Sequence, residues 1–295
     1  MTTTRRKRLL LSALAILCFP IGVVWLVAGE IAAPAHRSVG FPPPTLPDAR
    51  HVAFLSESGT MVQAWLATPK ASRGAIVLAH GVRADRREML GRAEFLVDAG
   101  FSVLLFDAQA HGETGGTKIT FGHLEARDAA AAVAFARAQH PGAPIGYIGL
   151  SQGGAAALLG RSPLPVSALV LEAVYPTLHD VTANRLEIRL GHRGRMLAPL
   201  LLWPMRWRIG VPPEQIAPIR GARHIEAPLL LIAGERDRLT TLEESRALFA
   251  AAPGPKELWV VPDAEHQDFQ RLRPAEYRER VLGFLARHLH ATGRP

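Results

Sequence analysis

"YIGLSQGGAAALLG" (147–160) decides how this chain is read. An apolar run rich in strand formers ends at Ser151, and two glycines followed by alanines and leucines come after it. That is the pattern of a strand passing through a tight turn into a helix. Gly149-Leu150-Ser151-Gln152-Gly153 fits G-x-S-x-G, in which the serine occupies strained backbone and its neighbours must lack bulk so that main chain can approach closely. Gly149, Gly153 and Gly154 meet that need. The turn would hold Ser151 Oγ above the sheet at the amino end of the next helix, where free N–H groups and the positive end of the helix dipole suit a developing oxyanion. Alone the pentapeptide is a weak signal, because a plain turn also satisfies it. The strand before it and the helix after it supply the context the motif requires.

The same alternation runs outward in both directions. Towards the N-terminus, "HVAFLSES" and "MVQAWLATP" read as a hairpin turning at Ser58-Gly59-Thr60, and "GAIVLAHG" (74–81) and "FSVLLFDAQAHG" (101–112) read as buried strands. Helices are expected over 87–100, stopped by Gly100, and over 121–142, ended by Pro141-Gly142. Towards the C-terminus, 166–174, 227–237 and 256–266 read as strands, and 242–254 and 274–290 as helices. Repeated β-α-β units with strands apolar on both faces imply a mostly parallel sheet between helices. The order breaks over 176–226, which has no strand pattern and reads as a helical insertion covering the carboxyl edge of the sheet, where open α/β sheets bind ligands.

Of the 295 residues, 48% are hydrophobic and 20% charged, which is ordinary globular composition for one large α/β domain or two small ones. Formal net charge is +8, but Arg5, Arg6, Lys7 and Arg8 carry four of those charges and leave a mildly basic body. With no basic stripe interleaved with aromatics, nucleic acid is not an expected partner. The single cysteine, Cys18, precludes an internal disulfide, and no metal-ligand spacing or phosphate-binding glycine loop occurs.

Residues 1–8 read as a basic cytoplasmic N-terminus and 9–29, free of charge, as a transmembrane anchor roughly 31 Å long. A signal segment cleaved after "VAG" (27–29) is the alternative. Either reading puts the catalytic body outside the cytoplasm: as a single-pass protein of the cytoplasmic membrane, with the membrane as partner through this helix, or as an exported one. Residues 30–50 are a Pro-rich linker expected to be extended. The remaining domain spans 51–290.

With the elbow in place, the chain resembles the α/β-hydrolase superfamily over about 50–290, and within it the bacterial hydrolases grouped as serine aminopeptidase-like or prolyl-oligopeptidase-like. The resemblance implies an eight-stranded, mostly parallel sheet flanked by helices, with a helical cap over 176–226. It also implies an acid and a histidine later in the chain. Asp237 in "LIAGERDRLT" (231–240) and His266 in "PDAEHQDF" (262–269) stand in those places. Ser151 would attack, His266 would take its proton, and Asp237 would orient the imidazole. The oxyanion donors would be the backbone N–H groups of Gln152 and of Val82 in "AHGVRAD" (79–85). Glu235, Asp263, Glu265 and Asp268 read as turn or loop charges beside these residues, and His80 as a structural loop residue. His111 is a rival base, in a stretch where Gln109 and Ala110 depart from the superfamily's usual Arg and Gly.

The resemblance implies a small-molecule ester, thioester or amide substrate, an acyl-enzyme, and no metal or organic cofactor. A short-peptide peptidase would need a carboxylate for a free amine, for which Glu187, Glu214 and Glu226 are available. A non-catalytic binding protein on the same fold is the reading of another class. Arg83, Arg86 and Arg87, with Arg185, Arg189, Arg193, Arg195, Arg206 and Arg208, read either as solvated faces or as a basic rim for an acidic substrate or anionic lipid headgroups.

Overall fold

The structure is a computed structural model that describes the backbone of residues 3–289 and the side chains of residues 18–289. Helix α1 (Thr3–Ala32) leads into the body. The central sheet has eight strands: β1 (Arg50–Leu55), β2 (Met61–Ala67), β3 (Ala75–Ala79), β4 (Ser102–Phe106), β5 (Ile145–Leu150), β6 (Ala168–Glu172), β7 (Leu229–Gly234) and β8 (Lys256–Val261). In space they run β8-β7-β6-β5-β3-β4-β2-β1. β2 is antiparallel to β1 and β4, and the pairs from β4 to β8 are parallel. Register is set by the period-two alternation of side chains. Ala75, Val77 and Ala79 of β3 enter one core while Ile76 and Leu78 enter the other. Both faces of β3 to β7 are buried, which is why these strands read as continuous apolar runs.

Helices α2 (Leu90–Asp98), α3 (Glu125–Gln139), α4 (Gln152–Leu158), α8 (Leu242–Ala251) and α10 (Pro274–His288) cover the two faces. Ala129, Ala132, Val133 and Ala136 of α3 pack with Ala155 to Leu158 of α4 on one side, and Ala93 and Leu96 of α2 with Val281, Phe284 and Leu285 of α10 on the other. Between β6 and β7 come α5 (Leu178–Leu190), α6 (Ala198–Ile209) and α7 (Pro218–Ala222), the helical insertion read over 176–226. A short α9 (Phe269–Leu272) precedes α10.

Two expectations change. The strand read over 101–112 stops at Phe106. There the Asp107 carboxylate accepts N–H groups from Arg86 at 2.7 Å and Glu113 at 2.9 Å, and Ala110 takes φ +60°, so the chain bends. His111–Gly112 then pairs in parallel with Ala35–His36 of the Pro-rich segment. The larger correction concerns 9–29. Among the described residues no helix is long and apolar enough to cross a membrane, which overturns the transmembrane and signal-anchor readings. The side chains of 9–17 lie outside the described residues. In the part that is described, Ala28 and Ala32 are buried in the hydrophobic core, Trp25 packs 5.9 Å from Trp207, and the Arg208 guanidinium lies 4.9 Å over the Trp25 ring. One face of this end of α1 is thus packed against protein, while Phe19, Val23 and Leu26 remain exposed.

Candidate active site

Ser151 sits between β5 and α4 with φ +48° and ψ −109°, outside the left-handed well that ordinary residues tolerate. Packing enforces the turn. A Cβ at Gly149 would stand 2.6 Å from Gly153 C, and one at Gly153 would stand 2.4 Å from Ala79 O, so strand, turn and helix approach closer than any side chain permits. The Ser151 N–H donates to Glu172 O at 2.7 Å, and the buried Tyr147 hydroxyl donates to Gly153 O at 2.8 Å. These bonds pin the elbow to β6 below and to the start of α4.

The loops after β5, β7 and β8 open at one edge of the sheet, because these strands run parallel. His266 Nδ1 and Asp237 Oδ2 are 2.8 Å apart. Asp237 is held from every side: Oδ1 accepts N–H bonds from Leu239 at 2.7 Å and Thr240 at 2.9 Å, and Oδ2 accepts the Thr240 hydroxyl at 2.6 Å. Burial alone would raise its pKa. The bonds from His266 and Thr240 outweigh burial and hold the carboxyl below the usual range, so it is an anion. Its bond to Nδ1 fixes the imidazole tautomer and turns Nε2 away from the acid. The structure thus brings Asp237 and His266 together and puts Ser151 on the same edge. Among the described residues Ser151 Oγ makes no hydrogen bond, a common state of catalytic pairs without substrate.

The loop after β3 is fixed by His80. Ala108 N–H donates to His80 Nε2 at 3.1 Å, so the ring proton is on Nδ1 and is donated to Gly81 O at 2.7 Å. Burial pushes the His80 pKa down to about 4 and keeps the ring neutral. Gly81 N–H is spent on Glu88 Oε2 at 2.7 Å, whereas the N–H groups of Val82 and Gln152 make no hydrogen bond among the described residues. These two are the donors expected for an oxyanion. The Gly81 backbone is close to Ser151: a Cβ there would lie 3.8 Å from Ser151 Cβ.

The rivals are engaged elsewhere. His111 is fully buried, with Nδ1 on Gln109 O at 2.8 Å and its ring 5.0 Å from that of His80. Asp263 pairs with Arg236 at 2.6 Å, and Glu235 accepts the Asp263 N–H. Asp268 caps α9 and meets Arg92 at 2.8 Å. Of the arginines read as a possible rim, Arg86 is buried against Asp107 and Glu113 with Trp65 beneath it, Arg87 pairs with Asp85, and Arg83 donates to the Glu30 and Ala33 carbonyls.

Several contributors were missed in the sequence. Thr240 donates to Asp237, and Asp-x-x-Thr in a loop is a readable turn signal. Arg92 is completely buried and bonds Glu172 at 2.8 and 2.6 Å as well as Asp268, tying the strand under the elbow to the loop that carries His266. Nothing in an amphipathic helix pattern marks such an arginine. Asn184 of α5 donates to Leu239 O at 3.1 Å and to Glu244 at 2.8 Å, fastening the insertion to the Asp237 loop. No cluster of potential metal ligands occurs among the described residues.

Comparison with known proteins agrees with this architecture. A family profile described as serine aminopeptidase, S33, matches residues 70–201. An uncharacterised protein of Mycobacterium tuberculosis is 31% identical over 245 residues, 81% of this chain and 80% of that one. A monoacylglycerol lipase of Mycolicibacterium smegmatis is 26% identical over 257 residues, covering 74% of this chain and 89% of the lipase. Among solved structures, an esterase of Pyrococcus furiosus superposes with a TM-score of 0.73 at 27% identity, covering 88% of this chain and 98% of that one.

Proposed function

Because the chain belongs to the α/β-hydrolase superfamily, we propose that it is a serine hydrolase that cleaves a carboxylic ester or thioester through an acyl-enzyme. The observation that carries this reading is the Asp237–His266 pair at 2.8 Å, opening on the same sheet edge as a serine held in strained elbow backbone. Ser151 Oγ adds to the acyl carbon while His266 Nε2 takes its proton. The Val82 and Gln152 N–H groups stabilise the negative oxygen of the tetrahedral intermediate, and its collapse expels the alcohol or thiol, which receives the proton from His266. Water, activated by the same imidazole, then releases the acid. Asp237 stays ionised throughout and stabilises the imidazolium.

The lipase and esterase relatives favour an ester substrate. The family description also raises a peptidase acting on free N-termini, which needs an unpaired carboxylate near the site. Glu187 does not suit that role, since it is bonded to Arg195 at 2.9 Å and His192 at 3.2 Å. Turnover of p-nitrophenyl esters set against aminoacyl p-nitroanilides tests the assignment. An initial burst of p-nitrophenol with little anilide cleavage is expected; anilide cleavage without ester turnover would select the peptidase, and neither would remove the enzymatic reading.

A further inference from the structure

The face formed by α6 and the end of α1 has no role in the proposed chemistry, and among the described residues it carries the densest display of exposed apolar side chains. Leu200, Trp203 and Trp207 recur at helical i, i+3, i+7 spacing on α6 and are each about half exposed, with Met196, 81% exposed, one turn earlier. Phe19, Val23 and Leu26, at i, i+4, i+7 spacing, share one face of α1 and are exposed as well. The two stripes meet where Trp25 packs on Trp207, which in turn packs against Trp203 at 5.2 Å. A contiguous apolar face of this kind marks an interaction surface.

Charge decides among occupants. Between Glu187 and Glu214 the chain has five arginines (189, 193, 195, 206 and 208) and no acid; Arg195 pairs with Glu187 at 2.9 Å, and the other four have no carboxylate partner among the described residues. Arg206 and Arg208 lie against the indole rings themselves, 5.8 Å from Trp207 and 4.9 Å from Trp25. Indoles and guanidinium groups interleaved with aliphatic side chains suit the boundary between headgroups and acyl chains. We propose that this face docks onto a lipid surface bearing anionic headgroups, with the helices lying in the interface rather than spanning it. The apolar stripes would enter the acyl boundary and the arginines would take up lipid phosphates. Docking does not depend on the catalytic reading, but it would bring the insertion beside the sheet edge up to lipid.

Flotation of the full chain with phosphatidylcholine vesicles, with and without phosphatidylglycerol, tests this. Binding is expected to rise with phosphatidylglycerol and to fall roughly tenfold in Leu200→Asp/Trp203→Asp, since losing one buried apolar side chain suffices for that factor. Met196→Asp should weaken it in the same direction, and at so exposed a position it leaves the fold intact, as circular dichroism will verify. Undiminished binding of both variants would overturn the proposal, because it would place the contact in the N-terminal segment alone. Equal binding to both vesicle types would overturn the anionic assignment. Self-association in the absence of vesicles, abolished by the same substitutions, would give the face to a second copy of the chain and also overturn it.

Discussion

Ser151 holds a conformation that costs about 1–3 kcal/mol, and the surrounding contacts rather than its own preference maintain it. In the proposed mechanism the serine held this way depends on Asp237 and its donors. Asp237→Asn is expected to lower kcat by about 10³–10⁴, because an amide there favours the wrong imidazole tautomer. Thr240→Val removes only the hydroxyl that donates to Oδ2 at 2.6 Å. Its loss is expected to be roughly tenfold in kcat with KM unchanged, the scale of one hydrogen bond to a charged group. If Thr240→Ser restores the rate, the hydroxyl acts by positioning Asp237. Equal damage from both Thr240 variants would make the side chain's packing responsible instead. The sequence pointed to Ser151 through the elbow between a strand and a helix, and to Asp237 and His266 through the superfamily resemblance of their loops. Thr240 was not singled out, because a threonine in a polar loop has many ordinary reasons to be there.

Among the elements, β3 and β5 to β7 were the easiest to read, since burial on both faces leaves almost no polar residue in them. The end of β4 was not, because the bend comes from the Asp107 carboxylate gathering N–H groups from distant sequence. α1 misled for a related reason: hydropathy along a chain does not reveal that Ala28 and Ala32 are covered by the chain's own core. Arg92 is the element-scale link least visible in sequence. It joins α2 to Glu172 at the end of β6, to Asp268 before α9, and to Tyr277 of α10 at 3.1 Å. Arg92→Met would leave the Glu172 carboxylate buried without its cation, so a loss of about 3–5 kcal/mol is expected in urea unfolding. A loss under about 1 kcal/mol would mean that the Tyr277 hydroxyl, 2.5 Å from Glu172, suffices to hold that charge.

For the molecule as a whole, acid is the expected weakness. Burial lowers the pKa of His80 to about 4 and also lowers that of His111, with the neighbouring imidazole adding to the effect on His111. Above the ordinary histidine pKa of about 6.5 both states are neutral and the stability is fully present. As pH falls below that value the unfolded chain takes up protons that the folded one refuses, so stability declines from about pH 6.5 towards 4. Asp237 acts at lower pH: its depressed pKa contributes stability above the unfolded carboxylate value, and this is lost as pH falls through the folded one. His111→Phe should shrink the stability difference between pH 7 and pH 5 by roughly 1–2 kcal/mol. An unchanged difference would show that His111 is protonated in the folded protein. In the sequence His80 reads as a structural loop residue and His111 as a rival base, with no burial-driven shift named at either. By contrast, the β-α-β alternation pointed to a mostly parallel sheet between helices, and the superfamily resemblance implied its eight strands, which the structure shows.

The central claim is that the elbow presents an activated nucleophile, and the most direct measurement is fluorophosphonate labelling of the full-length protein with the modified residue mapped by mass spectrometry. The account predicts a single adduct on Ser151, absent in Ser151→Ala and greatly slowed in His266→Ala. A folded protein that takes no label, or takes it at another residue with Ser151 unmodified, would contradict it.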